Sequence, residues 1–422
     1  MTTSLKDLYT TAVQQFEDRE YAQAGLTLEK VRSKDIFANT TPDFQSLVNF
    51  LLARIKRTQG LVEEAFNLVQ EVMNKPLSPP QQAEGYDVLA SLAFSNGELG
   101  VATNFVTQEL EVARQIPDDR RVAKCHYYRG EILRFLGKHQ EALTDFLQGH
   151  KLLEGMDSPS DARQLTRVLN GMALTYRALD QPKKALNYLE EALQVDTQLG
   201  EHDNAVVDYY NLFLVALEMG MLDKARTYRD ILQADGILEE SLLHAPILNL
   251  LEGFLQLQQG DYLGAQASFD RGVEKLGEFP FFEIIVSARL GTIKALLLAN
   301  KTTDPTPNAF EKFKESLVHE FNQTLELTGQ NRYWPLAIDL LLILAQTYYV
   351  LQNPEMAEKT TRQTKTLVDD WQLQDQLKMV EQVEQVLPTL AQQEGEGEVD
   401  YRARLTDAIL MELATIQKRR NL

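Results

Sequence analysis

Four basic side chains occur in two pairs, and the pairs repeat along the chain. Lys124 lies ten residues before Arg134, and Arg167 lies ten residues before Arg177. Ten residues are close to three turns of an α-helix, so the two members of each pair face the same side of a helix. Cations in a groove with low-dielectric walls would attract an acidic peptide or another partner that carries carboxylates. The alternative is that all four are solvated or paired with nearby acids, which would contribute little.

Asparagines and tyrosines near these cations have types that suit peptide binding. Asn170 and Asn211 carry amides, which offer both a donor and an acceptor to the main chain of an extended peptide. Four tyrosines are candidates for the walls of a groove: Tyr127, Tyr128, Tyr209 and Tyr210. The alternative for both residue types is structural, namely helix packing for the asparagines and core packing for at least half of the rings.

No combination of residues indicates catalysis or a bound cofactor. The sequence lacks a G-x-x-x-x-G-K-[ST] phosphate loop, an H-E-x-x-H motif and paired cysteines. The single Cys125 precedes His126, but adjacent residues of a helix point about 100° apart and so form no nucleophile–base pair. We therefore expect a protein without enzymatic activity, metal or cofactor, and we expect Cys125 to be a half-buried thiol.

The elements that position these residues are indicated by an alanine that recurs about every forty residues. It occurs at seven positions: Ala24, Ala65, Ala102, Ala142, Ala185, Ala225 and Ala265. Glycines lie five residues before five of them: Gly60, Gly97, Gly137, Gly220 and Gly260. Glycine permits a sharp turn between two antiparallel helices, and alanine lets the second helix press against the first. A period of this length predicts stacked helical hairpins.

Three copies carry further small and large residues at regular places. They are Gly130, His139, Phe146 and Gly149 around Ala142; Leu169, Ala173, Tyr176, Leu189 and Ala192 around Ala185; and Gly253, Tyr262, Phe269 and Gly272 around Ala265. This pattern resembles the tetratricopeptide repeat (TPR) over about residues 5–372. The period exceeds the minimal thirty-four residues of that family. It resembles the long-helix subclass found in bacterial signalling regulators, peptide-pheromone receptors and kinesin light chains.

The resemblance implies an all-α fold, a TPR-like right-handed α-solenoid of about nine helical hairpins plus a C-terminal helix. First helices would line its concave groove, which places the four cations there. Asn170 matches an asparagine with which peptide-binding repeats hold the main chain of a ligand, and Asn211 is displaced from that position by one residue.

The chain is predicted to have three parts. The array covers residues 1–390, with a degenerate repeat at 281–330 and a capping helix at 372–390. An acidic linker at 391–399 precedes a C-terminal amphipathic helix at 400–422, whose apolar stripe contains Leu405, Ile409, Leu413 and Ile416. This helix is expected either to dock back and complete the array, or to bind a partner or a second copy of the chain.

Composition limits the classes of partner. The net charge of -19 and the pI near 4.9 argue against sequence-independent nucleic-acid binding and against binding to an anionic membrane. No basic segment followed by an apolar core begins the chain, and the sequence has no run of eighteen apolar residues. We expect a cytoplasmic, bacterial protein.

The repeat pattern favours a scaffold or adaptor that binds a segment of a protein or peptide partner in the concave groove. The alternative is a peptide-gated regulatory protein resembling TPR pheromone receptors, in which a short peptide changes the superhelix.

Overall fold

The computed structural model describes most of the chain. The described residues are 4–34, 36–156, 158–234, 236, 238–277, 282–301, 307–351, 353–370, 373–390 and 398–420. They contain twenty α-helices and no β-strand.

Nine helical hairpins follow one another in the described part of the chain. Their paired helices are α1 (Leu5–Glu17) and α2 (Tyr21–Arg32), α3 (Pro42–Thr58) and α4 (Val62–Met73), α5 (Pro79–Ser95) and α6 (Leu99–Ala113), α7 (Asp119–Phe135) and α8 (His139–Leu153), α9 (Pro159–Ala178) and α10 (Pro182–Leu199), α11 (His202–Glu218) and α12 (Leu222–Ala234), α13 (His244–Gln259) and α14 (Tyr262–Leu276), α15 (Phe282–Lys301) and α16 (Pro307–Gln330), and α17 (Trp334–Val350) and α18 (Pro354–Asp370). The predicted all-α, TPR-like solenoid of about nine hairpins is confirmed.

The turns inside the first seven hairpins follow the predicted chemistry. The five glycines that precede the recurrent alanines have φ between +70° and +82°. Where the glycine is missing, Asp180 and Arg19 adopt the same left-handed conformation with φ of 62°. All seven alanines are the fourth residue of a second helix, and each has 0% of its surface exposed. Their small side chains therefore lie at the contact between the two helices of a hairpin.

Glycine also permits close helix approach at two of the predicted motif positions. A Cβ atom at Gly130 would lie 2.8 Å from the ring of Phe146, and one at Gly253 would lie 2.8 Å from the ring of Phe269. Both rings are fully buried. The phenyl groups therefore occupy the space that a side chain on the first helix would need.

The helices form two compact units. The first contains Met1–Leu133 and Thr144–Met156, and the second contains Arg134–Leu143 and Asp157–Leu422. The division therefore falls within α7 and α8, inside the region predicted as one array.

The last helices of the second unit follow the nine hairpins. Helix α19 (Gln374–Val386) and a 3₁₀ turn at Leu387–Leu390 occupy the region of the predicted cap. Residues 391–397 of the predicted linker lie outside the described residues. Helix α20 (Glu398–Arg420) begins two residues earlier than predicted and packs against α9, α15 and α17, three first helices of this unit.

Candidate ligand-binding site

The first helices of the second unit enclose a cavity of about 360 Å³ together with α20. Helices α9, α11, α13 and α15 contribute one side of it, and Ala414, Gln417 and Lys418 of α20 contribute the other. The N-terminus of α9 is fixed by a capping box, in which Asp161 N donates to Ser158 Oγ at 3.2 Å and Ser158 N donates to Asp161 Oδ2 at 3.3 Å. The side chains that line the cavity define one candidate site.

Apolar side chains cover most of the cavity wall. They come from two neighbouring first helices and are Leu214 and Leu217 on α11, and Phe254 and Leu257 on α13. Ser287 on α15 also lines the cavity, and its hydroxyl lies close to that of Tyr210. Burial raises the pKa of Tyr210 to about 12, so its hydroxyl stays neutral. The wall thus suits the aliphatic part of a ligand.

An ion pair between two first helices forms one rim of the cavity. Arg177 Nε donates to both carboxylate oxygens of Glu218, at 2.9 Å and 3.0 Å. Only 3% of the Arg177 side chain is exposed, whereas 38% of the Glu218 side chain is exposed. Such a fork-shaped contact fixes the direction of the guanidinium. Lys418 Nζ forms a second pair with Asp180 at 2.6 Å, which links α20 to the turn after α9.

Lys294 on α15 is the other cation that lines the cavity. Its Nζ donates to the side-chain amide oxygen of Gln417 on α20. Burial lowers the pKa of Lys294 to about 8; the carboxylate of Glu218 opposes this shift, and the guanidinium of Arg177 adds to it. At pH 7 the ammonium is therefore still mostly charged.

The structure corrects the expectation that Arg134 and Arg177 are open to a ligand. Arg134 in the second unit is 3% exposed, and its Nη1 lies 3.5 Å from Glu283 Oε1. Arg177 is engaged by Glu218. Arg167 is exposed, and it forms no ion pair with any described residue. First helices of other hairpins thus supply acids to these two cations, α15 to Arg134 and α11 to Arg177, which is the alternative that the spacing had left open.

Lys124 belongs to the first unit and is also paired. Its Nζ donates to Asp87 Oδ1 at 3.0 Å and lies 5.4 Å from the ring centre of Tyr128. Arg121 Nη2 donates to Glu84 in the same network at 2.9 Å. Burial and the charge of Asp87 raise the pKa of the nearby Glu109 to about 7. This cluster joins α5, α6 and α7 and accounts for Lys124 without a ligand.

The predicted asparagines and tyrosines have mixed surroundings. The Asn170 side chain is half-buried near the carboxyl group of Asp208. Asn211 is half-buried on α11, and Tyr210 beside it is 3% exposed. In the first unit, the half-buried ring of Tyr127 packs 6.2 Å from Phe146. Only Tyr210 therefore lies next to the cavity, and it does so from behind Ser287.

Cys125 and His126 have separate environments in the first unit, as predicted from their adjacency. Cys125 is fully buried, and burial together with the nearby Glu109 raises the pKa of its thiol. His126 Nδ1 lies 2.7 Å from Asp145 Oδ1, an atom that also accepts from Arg129. The thiol is more deeply buried than we expected, which disfavours its nucleophilic thiolate.

The apolar stripe of α20 is covered by its own chain. Leu405, Ile409, Leu413 and Ile416 are each at most 2% exposed and belong to the core of α15, α16 and α17. This is the docked-back arrangement. The stripe is then not accessible to a second chain. Binding of a partner through these residues would first require α20 to dissociate from α15, α16 and α17.

Charged residues anchor the end of α20. Arg420 Nε donates to Asp339 Oδ2 at 2.7 Å, and Arg419 Nη2 lies 2.7 Å from the other oxygen of the same carboxylate. The Asp339 side chain is 0% exposed and that of Arg420 is 2% exposed. Arg420 Nη1 also donates to the backbone oxygen of Phe135 at 3.1 Å. The basic last turn thus binds a buried acid of α17 as well as favouring the C-terminal end of its helix.

The sequence did not single out Lys294, Glu218 or the Asp339–Arg420 pair. Asp339 had a detectable signal, because it interrupts an otherwise apolar run in α17. A charge in such a run implies a buried partner. Nothing in the local sequence indicates that the partner follows 81 residues later.

Metal and membrane sites were also sought in the described residues. These residues contain no group of three or more His, Cys, Asp or Glu side chains that could hold a metal ion. None of the described helices has the length and apolar character needed to cross a membrane.

Comparison with known proteins identifies the class of these repeats. A family model for the tetratricopeptide repeat matches residues 164–228, from α9 into α12. The predicted tetratricopeptide repeats are therefore confirmed over these residues, and this fold is one that supports protein–protein interaction. No curated protein matches the sequence.

Several solved structures share the fold at low sequence identity. A Rap protein complexed with competence and sporulation factor has a TM-score of 0.53 and 17% identity, covering 87% of this chain and 98% of that chain. The apo form of RapI has a TM-score of 0.55 and 12% identity, covering 91% and 98%. Aspartyl phosphate phosphatase F from Bacillus subtilis has a TM-score of 0.52 and 12% identity, covering 78% and 94%.

Proposed function

We propose that this protein is an interaction scaffold or adaptor that binds a short segment of a partner protein between the first helices of its second unit and α20. The observation that carries the proposal is the cavity of about 360 Å³ on this face. Its volume lies within the range of roughly 300–1,000 Å³ that is usual for ligand sites. It admits a few side chains rather than a long extended segment.

The wall chemistry supports a peptide. Leu214, Phe254 and Leu257 offer an apolar surface for aliphatic side chains. Glu218 is partly exposed at the rim although it already binds Arg177, so its outer lone pairs remain available to a main-chain amide. Apolar walls with a small number of placed polar groups are the usual composition of a specific site.

A peptide-gated regulator is the second candidate. The observation that favours it is α20, which contacts α9 and α15 while α11 and α13 face it across the cavity. A ligand in the cavity would therefore touch both the array and the helix that closes it. The similar Rap structure is complexed with competence and sporulation factor, and by analogy this fold suits such a role.

Capture of a partner with matched variants tests the main proposal. Leu217→Arg places a charge in the cavity, whereas Leu263→Arg places one on the 77% exposed side chain of Leu263 on α14. We expect native-host extract to yield the same partner with wild type and Leu263→Arg, but not with Leu217→Arg. Equal capture by the two variants, with equal melting temperatures, would refute the site.

Scattering and turnover distinguish the other candidates. A synthetic peptide of the captured segment should leave the small-angle scattering of a scaffold unchanged, whereas it should compact a regulator. Because one similar structure is named aspartyl phosphate phosphatase, the captured partner is also phosphorylated on aspartate and followed for phosphate release. Phosphate release faster than the spontaneous hydrolysis of the phosphorylated partner would show that the protein is an enzyme rather than a scaffold.

A further inference from the structure

We propose that the cavity beneath α20 is a carboxylate-binding site in which Lys294 Nζ holds the anionic group. The inference rests on the proposed function and names the chemistry of the partner segment. The bound group is either the free C-terminus of a peptide or the side chain of an acidic residue within it.

The charges that line the cavity do not cancel. Arg177 is matched by Glu218, and Lys418 is matched by Asp180. Lys294 has only the neutral amide oxygen of Gln417 as its acceptor, and it forms no ion pair with a described residue. One positive charge therefore remains on the inner wall of the cavity.

A half-buried cation without an ion pair is unfavourable. Removing an ammonium group from water costs several kcal/mol unless an anion and hydrogen bonds replace the lost hydration. The lowered pKa of Lys294, about 8, expresses this cost. A ligand carboxylate would replace a neutral acceptor by a charged one and would shift the pKa back upward. Among the cations that line this cavity, Lys294 should therefore gain the most from binding an anion.

The apolar wall across the cavity from Lys294 indicates the chemistry of the rest of the ligand. Leu214 on α11 and Phe254 and Leu257 on α13 lie on the array side of the cavity. An aliphatic residue beside the carboxylate can contact this surface while its anionic group reaches α15. Leucine next to a free C-terminus, or leucine beside glutamate, has this combination.

Binding at Lys294 also involves α20. The carboxylate takes the place of Gln417 as acceptor, so α20 gives up one hydrogen bond when the ligand enters. Other contacts keep the helix in place, among them the pair between Lys301 Nζ and Asp407 at 2.5 Å and the buried pair between Arg420 and Asp339. The site therefore binds its ligand with α20 still docked as the closing wall.

Four peptides separate the two sources of the carboxylate. Acetyl-Leu-Leu with a free C-terminus is compared with its amide, and acetyl-Leu-Glu-Leu-amide is compared with its Gln counterpart, by calorimetry on the full chain at pH 7.5. We expect one carboxylate peptide to bind and its neutral partner to bind about tenfold to 100-fold more weakly, the range for a hydrogen bond to a charged group. If neither carboxylate peptide binds better than its neutral partner, the inference is wrong.

Lysine variants assign the effect to one side chain. Lys294→Met should remove the preference for the carboxylate, whereas Lys301→Met should retain it, because Lys301 contacts α20 without lining the cavity. Retained preference in Lys294→Met overturns the assignment. Partner capture that is sensitive to Leu217→Arg but not to Lys294→Met would leave the proposed function standing without the carboxylate site.

The pH dependence provides an independent readout. The other charged side chains that line the cavity are Arg177, Asp180, Glu218 and Lys418. Free Lys294 loses its proton above a pKa of about 8, and binding must restore it. The affinity should fall about 25-fold between pH 7.5 and 9.5 in wild type. The same fall in Lys294→Met would contradict the proposal.

Discussion

Asp196 on α10 and Asp208 on α11 are fully buried, and their carboxylate oxygens have no hydrogen-bond partner among the described residues. Burial raises the pKa of Asp208 well above its usual value, and the charge of Asp196 adds to this shift. Burial also raises the pKa of Asp196, although Thr166 and Asn204 oppose the change. Burial therefore favours the neutral, protonated form of these carboxyl groups in the folded protein.

Replacing one of these acids should remove a pH-dependent loss of stability. A raised pKa in the folded state contributes stability that is complete below the unfolded pKa of about 3.9 and is lost as the pH rises through the folded value. Asp208→Asn should therefore match wild type near pH 4 and exceed it at pH 7, by about 1.4 kcal/mol for every unit by which the pKa is raised. Urea unfolding at a series of pH values measures this difference.

The control for that series is Asp223→Asn on α12, since the Asp223 side chain is fully exposed. It should follow the pH profile of wild type. If Asp208→Asn also follows it, Asp208 does not have a raised pKa in the folded protein.

Residue types were easier to predict than residue partners. Spacing placed Arg134 and Arg177 on first helices, but it could not supply their counterions. Glu283 lies 149 residues from Arg134, and Glu218 lies 41 residues from Arg177. Such pairs depend on how hairpins stack, which a period along the sequence does not encode. For the same reason the spacing did not show that Asn170, predicted to be a ligand-binding amide, lies near the buried Asp208.

At the scale of helices, the hairpins were predictable because their contacts are local. The recurrent alanine and the turn glycine lie within a few residues of each other, and each has a single geometric role. Helix α20 was less predictable. Its apolar stripe indicated which face is buried, whereas the surface that covers this face consists of α15, α16 and α17, whose contacts with α20 include pairs 81 and 123 residues apart in the chain. An amphipathic pattern identifies a buried face without identifying what buries it.

Replacement by alanine should lower the stability of the protein at Gly130 and raise it at Gly100. Both are helical, but a Cβ at Gly130 meets the buried ring of Phe146 at 2.8 Å, whereas one at Gly100 has no atom within 4 Å. Gly130→Ala should destabilise the protein by about 1–3 kcal/mol through overpacking. Gly100→Ala should stabilise it by up to about 1 kcal/mol because alanine is the better helix former. Thermal unfolding followed by circular dichroism measures both. A stabilising Gly130→Ala would mean that the ring has room to move.

At the scale of the whole molecule, the two units have separate cores. Phe50, Leu52 and Ile55 belong to the core of the first unit, whereas Phe321, Leu340 and Leu413 belong to that of the second. In helical arrays each hairpin is stabilised mainly by its neighbours, so a local defect has a local effect. Because α20 packs against α9, α15 and α17, its loss should weaken those helices before it affects hairpins further away.

Arg420→Met tests how much the ion pair between Arg420 and Asp339 stabilises the packing of α20. The substitution keeps an apolar stem but leaves the fully buried Asp339 with Arg419 alone, and breaking a buried pair typically costs about 3–5 kcal/mol. Hydrogen exchange should accelerate in α20, α15 and α17 and stay unchanged in α3 and α5. Asp339→Leu combined with Arg420→Met removes both buried charges and should recover most of the protection. Uniform acceleration along the chain, or no recovery in the double variant, would show that this ion pair does not hold α20 against its own unit.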